Sequence, residues 1–209
     1  TSTAATVNAI QEAGGRATPL WGNLAIRGQG RALIDACIFQ AGQLDILCIN
    51  ASAQINAPLQ ELTDDDLSLQ IDVNVKSTIE MLQACLPTMA KQGWGRVVNI
   101  GSVNQLRPKA VVTAYAATKA AQHNIIQSQA REYARHGVTL NTLAPGLIDT
   151  DRNAHRKTSD PDGWQAYTKE VNWMGRVGLA HEMVGAAVFM ASDASSFMTG
   201  EIISLTGGG

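Results

Sequence analysis

Several things are scarce in this sequence. Aromatic side chains make up 5% of the 209 residues, and there are only three cysteines and six prolines. Cys37, Cys48 and Cys85 are odd in number and unclustered, which suits neither a disulfide framework nor a thiolate metal site. They read as small side chains in apolar surroundings, and no metal is expected. No run approaches the roughly 18 apolar residues that a membrane-spanning helix needs. The opening TSTAATVNAIQEAGG lacks the basic-then-apolar order of a secretory signal. The expectation is a cytoplasmic protein with no membrane partner. An excess of one charge is missing too. Sixteen basic and eighteen acidic side chains leave a net charge of −2, so no summed field attracts nucleic acid or anionic lipid.

What is present is apolar and evenly mixed, 45% hydrophobic and 16% charged, in a length typical of one domain. The expectation is a single domain over residues 1–209. Helical patterns are predicted over residues 4–13 and 26–40, with a short extended piece at 17–21. The run at 44–49 is continuously apolar and reads as a strand buried on both faces. Thr63 and three following acids open a long helix, Ile71, Val75, Ile79 and Leu82 continue its apolar stripe, and Pro87 ends it. A strand at 96–100, an alanine-rich helix at 113–135 and a strand at 138–143 follow. A polar stretch at 149–172 precedes a helix at 181–191 and a last strand at 201–205. Alternation of this kind implies an α/β fold, a doubly wound parallel sheet of Rossmann-like type covered by helices on both sides. Ligands then bind beyond the carboxyl ends of the strands.

The residues placed there carry chemistry. Gly101-Ser102 follows the strand at 96–100, and Tyr115 and Lys119 open the alanine-rich helix. Four residues are about one helical turn, so phenol and ammonium share a face. Ionising a free phenol at neutral pH costs roughly 4 kcal/mol. An ammonium about 5 Å away, at an effective dielectric near 20, returns roughly 3 kcal/mol. Such a pair is suited to proton transfer, with Ser102 hydrogen-bonding a substrate oxygen. Gly28-Gln29-Gly30 is a poor phosphate loop, because no third glycine follows at the right offset and no buried strand leads into it.

With these motifs the chain resembles the compact, single-domain short-chain dehydrogenase/reductase family along its whole length. Cys48-Ile49-Asn50-Ala51-Ser52 resembles the family's Asn-Asn-Ala-Gly turn, and Asn74-Val75-Lys76-Ser77 its mid-helix asparagine motif. Ser102, Tyr115 and Lys119 match the catalytic serine, tyrosine and lysine. Pro145-Gly146-Leu147-Ile148-Asp149-Thr150 matches the Pro-Gly segment beside the nicotinamide. The resemblance implies NAD or NADP as cofactor and a secondary alcohol or ketone as small-molecule substrate. It implies Asn74, Ser102, Tyr115 and Lys119 as the catalytic set. Asn23, Leu24, Asn50, Ala51, Ser52, Tyr115, Lys119, Pro145, Gly146, Ile148 and Thr150 become the cofactor contacts. The helices at 63–86 and 113–135 resemble those that assemble family members into homodimers or homotetramers.

The sequence departs from the family in two ways. Ser52 stands where the family has glycine, and Ile49 where it has the first asparagine. The glycine-rich strand–turn–helix that seats the pyrophosphate, about 40 residues with the strand after it, is not in this numbering. Because that strand would lie beside the one at 44–49, the expectation is that the segment exists in the polypeptide. Residues 149–172 suit a substrate lid. Arg152, His155, Trp164, Tyr167 and Trp173 are available there to shape a pocket, or equally to staple a solvated loop. Gln105, with Trp164 and Tyr167, is assigned to the substrate side. Two other readings stay open at this point: a catalytically silent binding or scaffold protein of the same fold, and a nucleotide-sugar epimerase or dehydratase that shares the Tyr-x-x-x-Lys pair.

Overall fold

The computed structural model describes residues 3–208. In chain order the elements are α1 (Thr3–Glu12), α2 (Gln29–Ala41), β1 (Ile46–Ile49), α3 (Asp64–Ile71), a π-helical turn (Asp72–Lys76), α4 (Ser77–Gln92), β2 (Gly95–Ile100), α5 (Thr113–Tyr133), β3 (Val138–Pro145), β4 (Ile148–Asp149), α6 (Asp151–Ser159), α7 (Pro161–Val171), β5 (Gly178–Leu179), α8 (Val184–Met190) and β6 (Ile202–Leu205). Four strands form a parallel sheet in the order β1-β2-β3-β6. A two-residue parallel pair, β4 with β5, ties down the segment that follows β3.

Both faces of the sheet are covered, as the doubly wound expectation requires. On one face Leu47, Ile49, Val97 and Leu140 pack against Met81, Cys85 and Met89 of α4 and Ile126 of α5, with Ile34 of α2 closing the layer. On the other, Val98 and Leu143 meet Met190 of α8, joined by Ile203 of β6. The central strands β2 and β3 are buried except at their last residues. This accounts for their continuous apolar character in the sequence.

Three expectations fail. Residues 17–21 form no strand: the segment has no neighbouring strand to bond, and Trp21 is exposed. β1 is buried on one face only, because Ile46 and Cys48 lie open at the edge of the sheet. This is the edge where the resemblance places the glycine-rich strand. Pro87 does not end its helix, which runs on to Gln92. Proline removes the bond to the carbonyl four residues earlier, here that of Gln83. Both residues face water, so solvent takes that carbonyl while buried Leu86 and Met89 hold the helix on the sheet.

The Gly28-Gln29-Gly30 turn is already occupied by the protein's own acid. The Glu80 carboxylate accepts the N–H groups of Gly28 at 2.7 Å and Gly30 at 3.0 Å, so the positive end of α2 is satisfied from α4. Gly30 also lets the helices touch, since a β-carbon there would lie 2.8 Å from the Ser77 carbonyl oxygen. Alanine normally favours a helix by about 1 kcal/mol over glycine. Gly30→Ala should nevertheless destabilise the protein by about 1–3 kcal/mol through overpacking. A lowered urea midpoint at unchanged slope is the expected result; an unchanged or raised midpoint would contradict it.

Candidate active site

Since β1, β2 and β3 are parallel, their carboxyl ends open on one crevice. β2 delivers Gly101 and Ser102 into it. A β-carbon at Gly101 would clash with Gln105 Oε1 and lie 2.7 Å from Thr142 Cγ2, so the strand leaves the sheet through a gap only glycine fits. Ser102 is then fixed at both ends of its residue. Its N–H donates to Gln105 Oε1 at 3.0 Å, and its Oγ accepts the Asn104 N–H at 3.2 Å. With one lone pair occupied by a donor, the hydroxyl proton is left for another acceptor.

α5 brings the other two candidates. Tyr115 and Lys119 are 5% and 1% exposed. The Lys119 ammonium lies 5.9 Å from the Tyr115 ring centroid and donates to the Ile100 carbonyl at 2.9 Å. That bond ties the lysine to the strand end two residues before Ser102, and α5 packs on the turn that Ser102 starts. Three of the four residues of the expected catalytic set, Ser102, Tyr115 and Lys119, are therefore brought to one strand end. Burial, and secondarily the charge of Arg152, hold the Lys119 pKa down from 10.5 to about 8.

Asn74 lies in the π-helical turn and is fully buried. Its Oδ1 accepts the Ala53 N–H at 2.8 Å, and its Nδ2 donates to the Ala53 carbonyl at 2.8 Å and to Thr118 Oγ1 at 2.9 Å. The amide thus clamps the loop after β1 and ties it to α5 at the residue preceding Lys119. Thr118 completes the link by donating to the Tyr115 carbonyl at 2.9 Å. Sequence reasoning passed over Thr118, although its place inside Tyr-x-x-x-Lys, three residues after the tyrosine, marks it as a helical neighbour.

The other candidates divide. Asn50 and Ala51 are exposed and Ser52 half-buried on the loop after β1. Pro145 ends β3, and the Gly146 N–H donates to the Leu205 carbonyl at 2.9 Å. A β-carbon at Gly146 would stand 2.7 Å from Thr206 Cα, so glycine keeps this exit against the end of β6. Ile148 pairs with Gly178, and exposed Thr150 precedes α6. Asn23 and Leu24 are not part of this constellation. Asn23 folds back on the Ala25 N–H at 3.0 Å, and Leu24 lines a cleft of about 650 Å³ against the start of α4. Gln105 touches Ser102 as described, and its Nε2 is buried with no partner among the described residues.

The stretch at 149–172 holds two helices, α6 and α7, which its polarity concealed. Asp160 caps α7 by accepting the Gly163 N–H at 2.9 Å, with Pro161 next. That Asp-Pro start was readable in the sequence. Trp164 is buried and Tyr167 half-buried, their centroids 6.0 Å apart, and the Arg156 guanidinium lies over both rings. Lys109 donates to the Tyr167 hydroxyl at 2.5 Å. These aromatics pin α6 and α7 together and to the turn before α5, while Trp173 is exposed.

The donor set fits the nicotinamide half of a dinucleotide. Lys119 uses one of its three N–H groups on Ile100, which leaves two for ribose hydroxyls. The Asn50–Ser52 loop and the Gly146–Thr150 exit flank it on the neighbouring strand ends. Among the described residues no glycine-rich turn links a sheet strand to a helix N-terminus, so these residues supply no pyrophosphate cradle.

A pH dependence follows from Lys119. Its cation lies 5.9 Å from the Tyr115 ring centroid, and that charge is lost as pH rises through the folded pKa near 8. The kcat/KM profile should therefore descend above about pH 8, and Arg152→Gln, which removes a repelling charge, should move that limb upward. A limb that stays put in the variant would contradict the coupling.

Parallel sheet, strand-end serine and a helical Tyr–Lys pair together define a Rossmann-like oxidoreductase. The family model described as enoyl-(acyl carrier protein) reductase matches residues 1–209. The short-chain reductase protein NovJ of Streptomyces niveus is 32% identical over 99% of this chain and 79% of its own length. A crystal structure of a 3-oxoacyl (acyl-carrier-protein) reductase from Agrobacterium tumefaciens C58 with NADP bound is 60% identical. It covers 99% of this chain and 80% of that one at a TM-score of 0.97. A gluconate 5-dehydrogenase from Burkholderia cenocepacia J2315, in complex with NADP and tartrate, is 32% identical over 98% of this chain and 79% of that one, at a TM-score of 0.89. The chain belongs to the short-chain dehydrogenase/reductase family, NAD(P)-dependent oxidoreductases that interconvert secondary alcohols and ketones by hydride transfer.

Proposed function

We propose that Ser102, Tyr115 and Lys119 are the working residues of this reaction, that Asn74 positions them, and that residues 149–172 close over the substrate as a lid on a single Rossmann-like domain. The observation that carries the reading is the Lys119–Ile100 bond, which joins the amine on α5 to the strand end bearing Ser102. In alcohol oxidation the Ser102 hydroxyl donates to the substrate oxygen, and the Tyr115 oxygen takes the proton that this oxygen loses as its carbon gives up hydride. Reduction of the ketone reverses both transfers. A bound nicotinamide supplies the hydride acceptor or donor. Lys119 keeps a positive charge beside the phenol, and its remaining N–H groups would hold a ribose of the bound cofactor. Asn50, Ala51, Ser52, Pro145, Gly146, Ile148 and Thr150 would hold its nicotinamide side, and Asn23 and Leu24 its adenine end. Gln105 holds Ser102 at the substrate side, with Trp164 and Tyr167 shaping the lid above it.

NADP is the first choice of cofactor, supported by the 60%-identical structure that holds it. We place the enzyme in the cytoplasm as a homodimer or homotetramer. Among the described residues no helix is long and apolar enough to cross a membrane, and α4 leaves Ile79 exposed on its outer face. Light scattering tests the assembly. The reaction is tested by following nicotinamide absorbance with NADP and NAD over a panel of secondary alcohols and ketones. Turnover abolished by Ser102→Ala supports the assignment. Cofactor binding without turnover of any substrate would leave the silent-scaffold reading standing.

A further inference from the structure

The first turn of α6 carries an arginine whose hydrogen-bond partners among the described residues are both neutral. Arg152, on α6, reaches across the crevice to the loop after β1. Its Nη1 donates to Gln54 Oε1 at 2.7 Å and its Nη2 to Ser52 Oγ at 3.4 Å. Both acceptors are neutral and the second bond is long, so the guanidinium is bound weakly for its charge. Its charge also adds, after burial, to the lowering of the Lys119 pKa, and its two partners place it on the loop that follows β1 at the crevice. One turn along the same helix face stands Arg156, held on the rings of Trp164 and Tyr167, and across Tyr167 stands Lys109. Like charges four residues apart destabilise a helix by about 0.2–0.5 kcal/mol. The only cation on α6 with a carboxylate partner among the described residues is Lys157, which pairs with Asp149 at 2.9 Å. Three cations therefore rim this side of the crevice without an ion pair among the described residues, and Arg152 is the one whose charge bears on Lys119.

We propose that Arg152 determines substrate specificity by anchoring a carboxylate, so that the alcohol oxidised here is a hydroxy acid and the ketone reduced is the corresponding oxo acid. The inference rests on the functional reading above. A planar guanidinium matches a carboxylate with two parallel bonds. It also replaces two neutral acceptors with a charged one, while Ser52 and Gln54 hold it ready beside the nicotinamide loop. The acid's negative charge offsets the repulsion between Arg152 and Lys119, so an acid binds where a neutral alcohol of the same shape binds less well.

The test compares full-length wild type, Arg152→Gln and Arg152→Lys on matched pairs: 3-hydroxybutyrate with its methyl ester, and gluconate with gluconamide. Measured about one to two pH units below the Lys119 limb near 8, where the lysine is charged in both proteins, Arg152→Gln should raise KM for the acids about 10- to 100-fold and change kcat/KM for the neutral partners less than threefold. Arg152→Lys should recover part of the acid's KM because it keeps a point charge without the fork. An equal loss on acid and neutral partner overturns the proposal in favour of a role in shaping the lid. A rise confined to the KM for NADP overturns it in favour of a cofactor phosphate as the bound anion. Calorimetric titration of both acids into the NADP-loaded proteins reads the anchor without turnover. Binding lost in Arg152→Gln supports it even if the assigned chemistry fails, and equal binding, or none to wild type, overturns it.

Discussion

Replacing Tyr115 by phenylalanine should lower kcat about 10³- to 10⁴-fold, at the upper end of what a positioned general acid/base contributes, while the dissociation constant for the nicotinamide cofactor changes less than threefold. The variant removes one oxygen atom from a side chain that is 5% exposed, and the buried ring stays. Its fold should survive, as an unchanged unfolding midpoint would verify. The loss should not be recovered by raising pH, since the group that accepts the proton is gone. Activity within tenfold of wild type would mean that the proton leaves through another group, with Ser102 the next candidate at this strand end.

Lys119→Met should be as damaging to turnover and should leave a second signature in stability. In the wild type the folded pKa near 8 lies below the reference 10.5. Below pH 8 both folded and unfolded chains carry the proton, and the folded state bears the whole cost of burying it. Between 8 and 10.5 the folded protein releases the proton first, so wild-type stability rises with pH. The difference of about 2.5 units corresponds to about 3 kcal/mol. Methionine has no such titration, but it abandons the Ile100 carbonyl, a loss of about 1–3 kcal/mol. At pH 7 the two effects nearly cancel. From pH 7 to 10.5 the stability difference should move about 2–3 kcal/mol toward wild type. Urea unfolding at the two pH values checks this, and parallel pH dependence in both proteins would show that the lysine is not buried as a cation.

How much of this was legible in the sequence depends on where each residue gets its stability. β2, β3 and α5 declare themselves, because buried parallel strands and a helix on their face leave long apolar patterns. Ser102, Tyr115 and Lys119 were legible for the same reason: they stand at fixed offsets from those elements. Residues 17–21 read as a strand on composition, yet a strand needs a neighbour to bond, which no local pattern reports. β1 misled in the same direction, since Ile46 and Cys48 look like core but lie at the edge. Pro87 looked like a stop because the solvent that compensates it is invisible in a sequence. Contacts between distant segments were the least legible. Arg152 meets Gln54 at a separation of 98 residues, and Glu80 caps α2 from 50 and 52 residues away. The chemistry of those side chains was apparent, but their partners were not.

The π-helical turn at Asp72–Lys76 constrains how this region can change length. A helix advances about 100° per residue, so deleting one residue there would convert the wide turn to an ordinary one. The helix beyond it would keep nearly the same face toward the sheet, because a wide turn absorbs its extra residue within one revolution. Met81, Cys85 and Met89 would stay on the hydrophobic layer, whereas Asn74 would lose the bulged position from which it grips Ala53. The extra residue therefore serves the crevice alone: it pushes one amide out to the loop after β1 without disturbing the packing of the helix that carries it.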